Sequence, residues 1–313
     1  MLNKILNIKY PIIQGAMANI ATASFAADVS NSGALGIIGT GAMNVEQARE
    51  EIHKCRELTD KPFGVNVMMM NPATKEIMEM IAKERVAVVT TGAGNPGPYI
   101  DMLKESGAKV FPVVPSVALA IRMERAGADA LIVEGGEAGG HVGEQTTMAL
   151  IPQVVDAVNV PVIAAGGIAD GRGFNAALAL GAIGVQVGTC LLVAEECPVH
   201  INYKNAVLKA KDTDTVVTGR SMGSPVRVLK NKMTRDHLKI EAEAFDREAL
   251  EKLTLGSLRK AVFDGDIDNG SVMMGQIGGL CNEIKPLGEI ITDIVDGSRE
   301  EFKKLIEKHE DLV

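Results

Sequence analysis

PVIAAGGIADG, residues 161–171, is an apolar, strand-like run that ends in two glycines and an Asp–Gly turn. GVQVGT, residues 184–189, repeats the pattern of a short apolar run followed directly by a glycine. A buried strand, a glycine turn and a helix in this order are typical of one βα unit. The two stretches therefore predict successive units of an α/β fold.

Eight short apolar runs recur along the chain, spaced by roughly 20 to 30 residues, about the length of one βα unit. They are Pro11–Gln14, Leu35–Ile38, Phe63–Val67, Val86–Thr90, Lys109–Val114, Ala130–Val133, Val160–Ala164 and Ile183–Val187. Helical patterns lie between them, such as Val45–Leu58 and Ser116–Ala126, the latter with a capping serine and a following Gly127. These alternations predict an α/β protein with a (β/α)8 TIM barrel, and an open doubly wound sheet is the alternative.

The pattern changes after the eighth run, which predicts three regions. Residues 1–197 form the barrel, and the more charged and irregular residues 198–285 form a helical cap inserted after strand 8, over one barrel mouth. Residues 286–313 contain an amphipathic helix near Ile290–His309 that closes the barrel.

Composition excludes several function classes. The net charge of −8 argues against a nucleic-acid partner. The four cysteines lack CxxC spacing, which predicts free thiols in a reducing compartment and hence a cytoplasmic protein without a membrane anchor. The N-terminal residues show no signal-peptide pattern. Gly173–Ala194 is uncharged but interrupted by glycines, so we interpret it as a buried helix and strand rather than a membrane span.

The loop after strand 6, EGGEAGGHVG (residues 134–143), is dense in glycine and carries a histidine. Active sites of such barrels lie at the carboxyl ends of the strands, and histidine transfers protons near neutral pH. His141 is therefore a candidate catalytic acid, with a structural histidine as the alternative. The remaining histidines lie on charged or helical stretches and are predicted to be solvated: His53, His200, His237 and His309.

Two glycine turns, after strands 7 and 8, predict a phosphate-binding cradle, because backbone N–H groups at helix N-termini favour an anion. Gly15-Ala16-Met17 after strand 1 allows a flat ligand to approach, or forms a simple tight turn. Asn66 at the end of strand 3 can hydrogen-bond a pyrimidine edge. Cys190 follows the last turn, and we interpret it as a packing residue rather than a nucleophile.

The motifs YPIIQGAM, PFGVNVM, EGGEAGGHVG, PVIAAGGIADG and GVQVGT, in this order, resemble the nitronate monooxygenase-like FMN barrels. The resemblance runs from about Tyr10 to Leu280. Within that group, four stretches resemble the flavin-type enoyl-acyl-carrier-protein reductases. They are Val89–Pro96, Phe111–Ala120, His141–Thr147 and Gly270–Leu280. This resemblance selects FMN among the ligands that carry a phosphate.

The resemblance also implies roles for individual residues. His141 is the catalytic acid, and Gln186 points toward the cofactor site. The flavin ring or ribityl chain contacts Gly15, Ala16, Met17, Asn66, Glu134 and Gly139. The phosphate contacts Gly166, Gly167, Gly188 and Thr189. From the cap, the ring is faced by Met274 and Gln276.

The activity implied by the resemblance is FMN-dependent reduction of trans-2-enoyl-acyl-carrier-protein with NADPH or NADH, the last step of a fatty-acid elongation cycle. It also implies a homodimer and a monovalent-cation requirement, with unassigned metal ligands. A nitronate monooxygenase that oxidises alkyl nitronates with O2 is the alternative, and a non-redox barrel for a phosphate-bearing ligand is another. The basic stretch Arg220–Lys239 is a candidate docking surface for the acidic acyl carrier protein, or an ordinary solvated face.

Overall fold

The computed structural model describes residues 1–41, 43–243 and 246–311. In chain order the strands are β1 (Ile12–Gln14), β2 (Gly36–Gly39), β3 (Phe63–Met68), β4 (Val88–Gly92), β5 (Lys109–Val114), β6 (Leu131–Glu134), β7 (Gly140–His141), β8 (Val162–Ala165), β9 (Val185–Val187), β10 (Thr215–Thr218) and β11 (Val226–Leu229). Each predicted run coincides with one barrel strand to within two residues at either end.

All strands except β7, β10 and β11 form one parallel eight-stranded sheet. β9 pairs with β1, and a bridge between Ile13 and Leu35 joins β1 to the start of β2. Gln14 N–H donates to the Leu35 carbonyl at 2.9 Å, so the sheet closes on itself. The predicted TIM barrel is confirmed, and the open doubly wound sheet is excluded.

The helices surround this barrel. They are α1 (Leu2–Leu6), α2 (Ala23–Asn31), α3 (Val45–Leu58), α4 (Thr74–Glu84), α5 (Gly97–Glu105), α6 (Val117–Arg125), α7 (Thr147–Ala157), α8 (Gly171–Ala179), α9 (Ile201–Lys209), α10 (Lys232–Glu243), α11 (Arg247–Thr254), α12 (Ser257–Arg259) and α13 (Leu287–Glu310). α3 has the predicted bounds because Asn44 and Gln47 form a reciprocal capping box at its start. Ser116 caps α6 as predicted, by accepting a hydrogen bond from Leu119 N–H.

The barrel interior is apolar and mostly aliphatic, and it is closed at its amino-terminal end. Leu2 and Leu6 of α1 belong to the same buried cluster as the inward-facing residues Ile13, Phe111 and Ile163. Leu2 N–H also donates to the carbonyl of Ile183, two residues before β9 begins, at 3.0 Å. Because α1 plugs this end, the opposite mouth is the one left for a ligand.

Residues 198–285 contain α9 to α12 and also a β-hairpin, which the sequence analysis did not predict. β10 and β11 pair antiparallel, and β11 pairs in turn with β7, which places Val226 opposite His141. A short 3-10 helix (Gln276–Leu280) lies near the end of this region. α13 then packs against α8 and α2 on the outside of the barrel.

Other predictions have mixed outcomes. The four cysteines are buried free thiols, as predicted. No helix in the described part of the chain is long and apolar enough to cross a membrane. The prediction that His237 is solvated was wrong, because it lies with Met233 and Thr234 on the buried face of α10 and is 1% exposed.

Candidate active site

A cavity of about 510 Å³ opens at the carboxyl-terminal mouth of the barrel. This volume is within the range of small-molecule and cofactor sites in proteins. The predicted site residues that line it are Gly15, Ala16, Met17, Asn66, Glu134, Gly139, His141, Gly166, Gly167, Gln186, Gly188, Thr189 and Met274. The fold therefore brings residues from six separate loops and strand ends to one place.

Gln276 is the predicted site residue that the structure leaves outside this cavity. Its side chain is exposed, and its backbone N–H donates to the Glu137 carbonyl at 2.9 Å. The turn of the 3-10 helix at this point directs Ile277 into the cavity instead. The sequence alone did not reveal which side of this short helix faces inward.

The turn after β8 is built for close approach of a ligand. Gly166 and Gly167 have φ values of 92° and 72°, which L side chains rarely adopt. A Cβ at Gly166 would lie 2.9 Å from the Gly135 carbonyl oxygen, so the turn has no room for one. Both positions therefore require glycine.

The anion cradle differs from the predicted one in one respect. We expected the N-terminus of α8 to face the phosphate, but the Asp170 carboxylate already accepts hydrogen bonds from Arg172 and Gly173 N–H there. At the second turn, Thr189 Oγ1 accepts from Gly275 N–H at 2.9 Å. The Thr189 hydroxyl hydrogen thus remains free to be donated to a phosphate oxygen.

The remaining lining fits a flat ring with a phosphorylated tail such as FMN. A Cβ at Gly188 would meet only Met17 Sδ, at 3.7 Å, so this glycine borders open space within the cavity. Asn66 Nδ2 donates to Thr90 Oγ1 at 2.9 Å, which fixes the amide at the cavity wall. Buried Met274 supplies an apolar, polarisable surface from the cap side.

Among the described residues, three carboxyl or imidazole side chains line this cavity: Glu134, Glu137 and His141. Partial burial lowers the pKa of His141, so its imidazole is mostly neutral at pH 7. Burial also raises the pKa of Glu134, at the end of β6, to about 7. Burial raises the pKa of Cys190 as well, which keeps its thiol protonated and agrees with the predicted packing role.

Glu134→Gln is expected to stabilise the flavin-free protein at high pH and to have little effect at low pH. Because the pKa of Glu134 is raised from 4.5 to about 7, folding disfavours its charged form. That cost is absent below about pH 4.5, grows with pH and is complete above about pH 7. The shift corresponds to at most about 3 kcal/mol, and to less here because the side chain is partly exposed.

Urea unfolding at pH 5 and pH 8 measures this effect. Glu144→Gln is the matched control, since Glu144 lies in the same loop region but its side chain is 85% exposed. A free energy of unfolding for Glu134→Gln that differs from wild type by the same amount at both pH values would contradict the assignment.

The chain matches a family model described as nitronate monooxygenase over residues 1–84 and 74–297. A probable nitronate monooxygenase from Staphylococcus aureus (strain N315) is 36% identical over 342 residues, covering 94% of this chain and 96% of the relative. The family-model match extends over the barrel, the cap and the beginning of the C-terminal helix.

Two solved structures share the fold over nearly the whole chain. FabK from Thermotoga maritima is 49% identical, with a TM-score of 0.96 and 98% of each chain covered. A nitroalkane oxidase from Streptomyces ansochromogenes is 27% identical, with a TM-score of 0.87 and coverage of 97% of this chain and 99% of the other.

Proposed function

This chain belongs to the nitronate monooxygenase family, whose members are flavin-dependent oxidoreductases, and we propose that it reduces trans-2-enoyl-acyl-carrier-protein with NADH or NADPH. The observation that carries this proposal is the 49% identity to FabK over 98% of both chains. The non-redox barrel for a phosphate-bearing ligand is excluded, because the family is one of oxidoreductases.

FMN fits the cavity for two reasons. The glycine turns allow a ligand to approach closely, and the hydroxyl hydrogen of Thr189 is free to be donated to a phosphate oxygen. In the proposal, Gly166, Gly167, Gly188 and Thr189 hold its phosphate, and Asn66 contacts the ring edge. When bound, FMN supplies hydride transfer from the nicotinamide nucleotide to the unsaturated substrate. The protein supplies binding, orientation and protons.

His141 is proposed to provide the proton that this reduction needs. Reduction of an enoyl thioester requires a proton at the α carbon and develops negative charge on the thioester oxygen, which a hydrogen-bond donor stabilises. The imidazole of His141 lies on the cavity wall, held there by pairing of β7 with β11. It can donate a hydrogen bond to the oxygen or a proton to the carbon.

Nitronate monooxygenase activity is the second candidate. The family model, the Staphylococcus aureus relative and the 27% identical nitroalkane oxidase all favour it. In that case the same histidine would act as a base on the carbon beside the nitro group, and O2 would replace the enoyl acceptor. The two functions thus share the cavity and differ in the acceptor.

An anaerobic assay separates the candidates. The purified protein with NADH or NADPH is mixed with crotonyl thioester, and oxidation of the nucleotide is followed without O2. Thioester-dependent oxidation supports the enoyl reductase. Turnover that requires both O2 and an alkyl nitronate, with none on the thioester, would establish the monooxygenase instead.

The proposal includes an acyl carrier protein as partner, a homodimer, a monovalent cation and a cytoplasmic location. For docking of the partner, we propose a smaller set of cations than the whole stretch Arg220–Lys239. Arg227 is half-buried and donates to the Gly136 carbonyl and to Thr215 Oγ1, so it is not available for docking. Lys232 is paired with Asp236 at 3.2 Å. Arg220 is exposed in the loop 219–225, whose residues Gly223 to Pro225 line the cavity, and its pair with Glu144 at 3.6 Å joins two exposed side chains and is therefore weak. Lys230 is exposed directly after β11.

Arg220→Glu combined with Lys230→Glu should raise KM for an enoyl-acyl-carrier-protein more than tenfold at low salt, the scale of lost electrostatic steering. The effect should shrink at high salt, because screening removes steering. Crotonyl-CoA turnover should change little. Lys303→Glu with Lys308→Glu on exposed parts of α13 is the charge-matched control. Equal KM changes in the two double variants would place the docking surface elsewhere.

A further inference from the structure

We infer that Glu137 is a positioning residue: its carboxylate fastens the loop Gly135–Gly143 to the N-terminus of α7 and thereby sets His141 in the cavity. The catalytic part of this inference rests on the proposed function. The structural part concerns the loop alone and stands independently of the substrate.

The carboxylate of Glu137 caps a helix that lies ten residues further along the chain. Thr147 N–H donates to Glu137 Oε1 at 3.0 Å and to Oε2 at 2.9 Å, and Thr147 Oγ1 lies 3.0 Å from Oε2. Thr146, the residue at the N-cap position of α7, makes no capping hydrogen bond with its own side chain. A carboxylate is the group that a helix N-terminus attracts, so Glu137 replaces the missing cap.

The same loop is held from the cap side by hydrogen bonds to its backbone carbonyls. Arg227 Nε donates to the Gly136 carbonyl at 3.0 Å. Gln276 N–H donates to the Glu137 carbonyl at 2.9 Å. Glu137 therefore attaches the loop on two sides. Its side chain binds the barrel helix α7, and its backbone carbonyl binds the cap.

Glycine packing makes this attachment rigid. A Cβ at Gly135 would lie 2.1 Å from Thr147 Oγ1, and one at Gly139 would lie 2.6 Å from the Met274 carbonyl carbon. The loop thus lies directly against its neighbours on both sides of Glu137, with His141 a short distance beyond. Loss of the carboxylate weakens the barrel side, which then keeps the backbone hydrogen bonds from Gly135 N–H to the Ala165 carbonyl at 3.0 Å and from Gly136 N–H to the Gln145 carbonyl at 2.7 Å.

Thr147 also connects the loop to the cofactor turn. Its hydroxyl lies 3.0 Å from the Gly166 carbonyl as well as 3.0 Å from Glu137 Oε2. A hydroxyl has one hydrogen, so it serves one acceptor at a time. When the hydroxyl serves Gly166, the bifurcated hydrogen bond from the single Thr147 N–H to both Glu137 oxygens carries the attachment of Glu137. The glycine turn keeps its own φ-determined geometry without Glu137.

The experiment compares Glu137→Ala, Glu137→Gln and the control Glu144→Gln. In Glu137→Ala we expect flavin content and nicotinamide-driven flavin reduction close to wild type. We expect kcat for enoyl reduction to fall about 10- to 100-fold, the scale of a misplaced catalytic group. Glu137→Gln retains an oxygen acceptor for Thr147 N–H and should recover much of the rate. Glu144→Gln should behave as wild type.

Amide hydrogen exchange supplies a readout that does not need turnover. In Glu137→Ala, with or without FMN, exchange of residues 138–143 should accelerate roughly tenfold, the scale of a lost helix cap. If Glu137→Ala does not fold, the smaller acceleration expected in Glu137→Gln decides the question. Unchanged exchange in the loop overturns the inference, as does loss of flavin in parallel with enoyl reduction. Absence of enoyl reduction in the wild type overturns the proposed function alone.

Discussion

His141→Ala should lower enoyl reduction by about 10²–10⁴-fold, the usual contribution of a positioned proton donor. The protein should retain flavin and reduce it with the nicotinamide nucleotide at close to the wild-type rate. The reason is geometric: His141 lies on β7 at the cavity wall, while the glycine turns proposed for the phosphate lie on β8 and β9. Stopped-flow measurement of the two half-reactions separates the two effects.

The pH dependence gives a second test of His141. The protonated imidazole donates the proton, and burial lowers its pKa below 6.5. The wild-type rate should therefore rise as the pH falls through that pKa, and His141→Ala should lack this rise. His53→Ala is a suitable control, since His53 is exposed on α3 and bound to Glu84. Near-normal turnover of His141→Ala would remove this residue from the mechanism.

Gly188→Glu should abolish flavin retention. A side chain at this position enters open space in the cavity, where its carboxylate would face the proposed phosphate. Like charges in contact cost several kcal/mol, which corresponds to a loss of affinity on the order of 10²–10³-fold. Absorbance of the purified protein and chromatography of heat-released flavin measure the outcome, and the released flavin should be FMN.

Gly188→Ala controls for the backbone. Its added Cβ would meet only Met17 Sδ at an ordinary 3.7 Å, and Gly188 has a φ of −133°, which L residues adopt. This variant should therefore keep its flavin. Normal flavin content in Gly188→Glu, or recovery of FAD from the wild type, would refute the proposed phosphate site.

The barrel and most of the cavity lining were predictable from the sequence, because both depend on local patterns. Continuous apolar runs mark strands covered on both faces, and a glycine directly after such a run marks the carboxyl-terminal mouth. The carboxyl ends of all barrel strands lie at this mouth, and this does not depend on the conformation of the loops. Gly15, Asn66 and Gly188 could thus be placed in one cavity without knowledge of any contact between them.

Contacts between distant segments were decided only by the tertiary structure. β7 has two residues and becomes a strand because β11 pairs with it, which no local periodicity indicates. His237 is buried although charged residues flank it, because α10 turns that face inward. Helix capping shows the same division: Asp170 caps its own helix α8 locally, whereas α7 is capped by Glu137, ten residues before it in the chain. The sequence by itself determined most of the residues that line the cavity, while long-range packing decided how the loop that carries His141 is held.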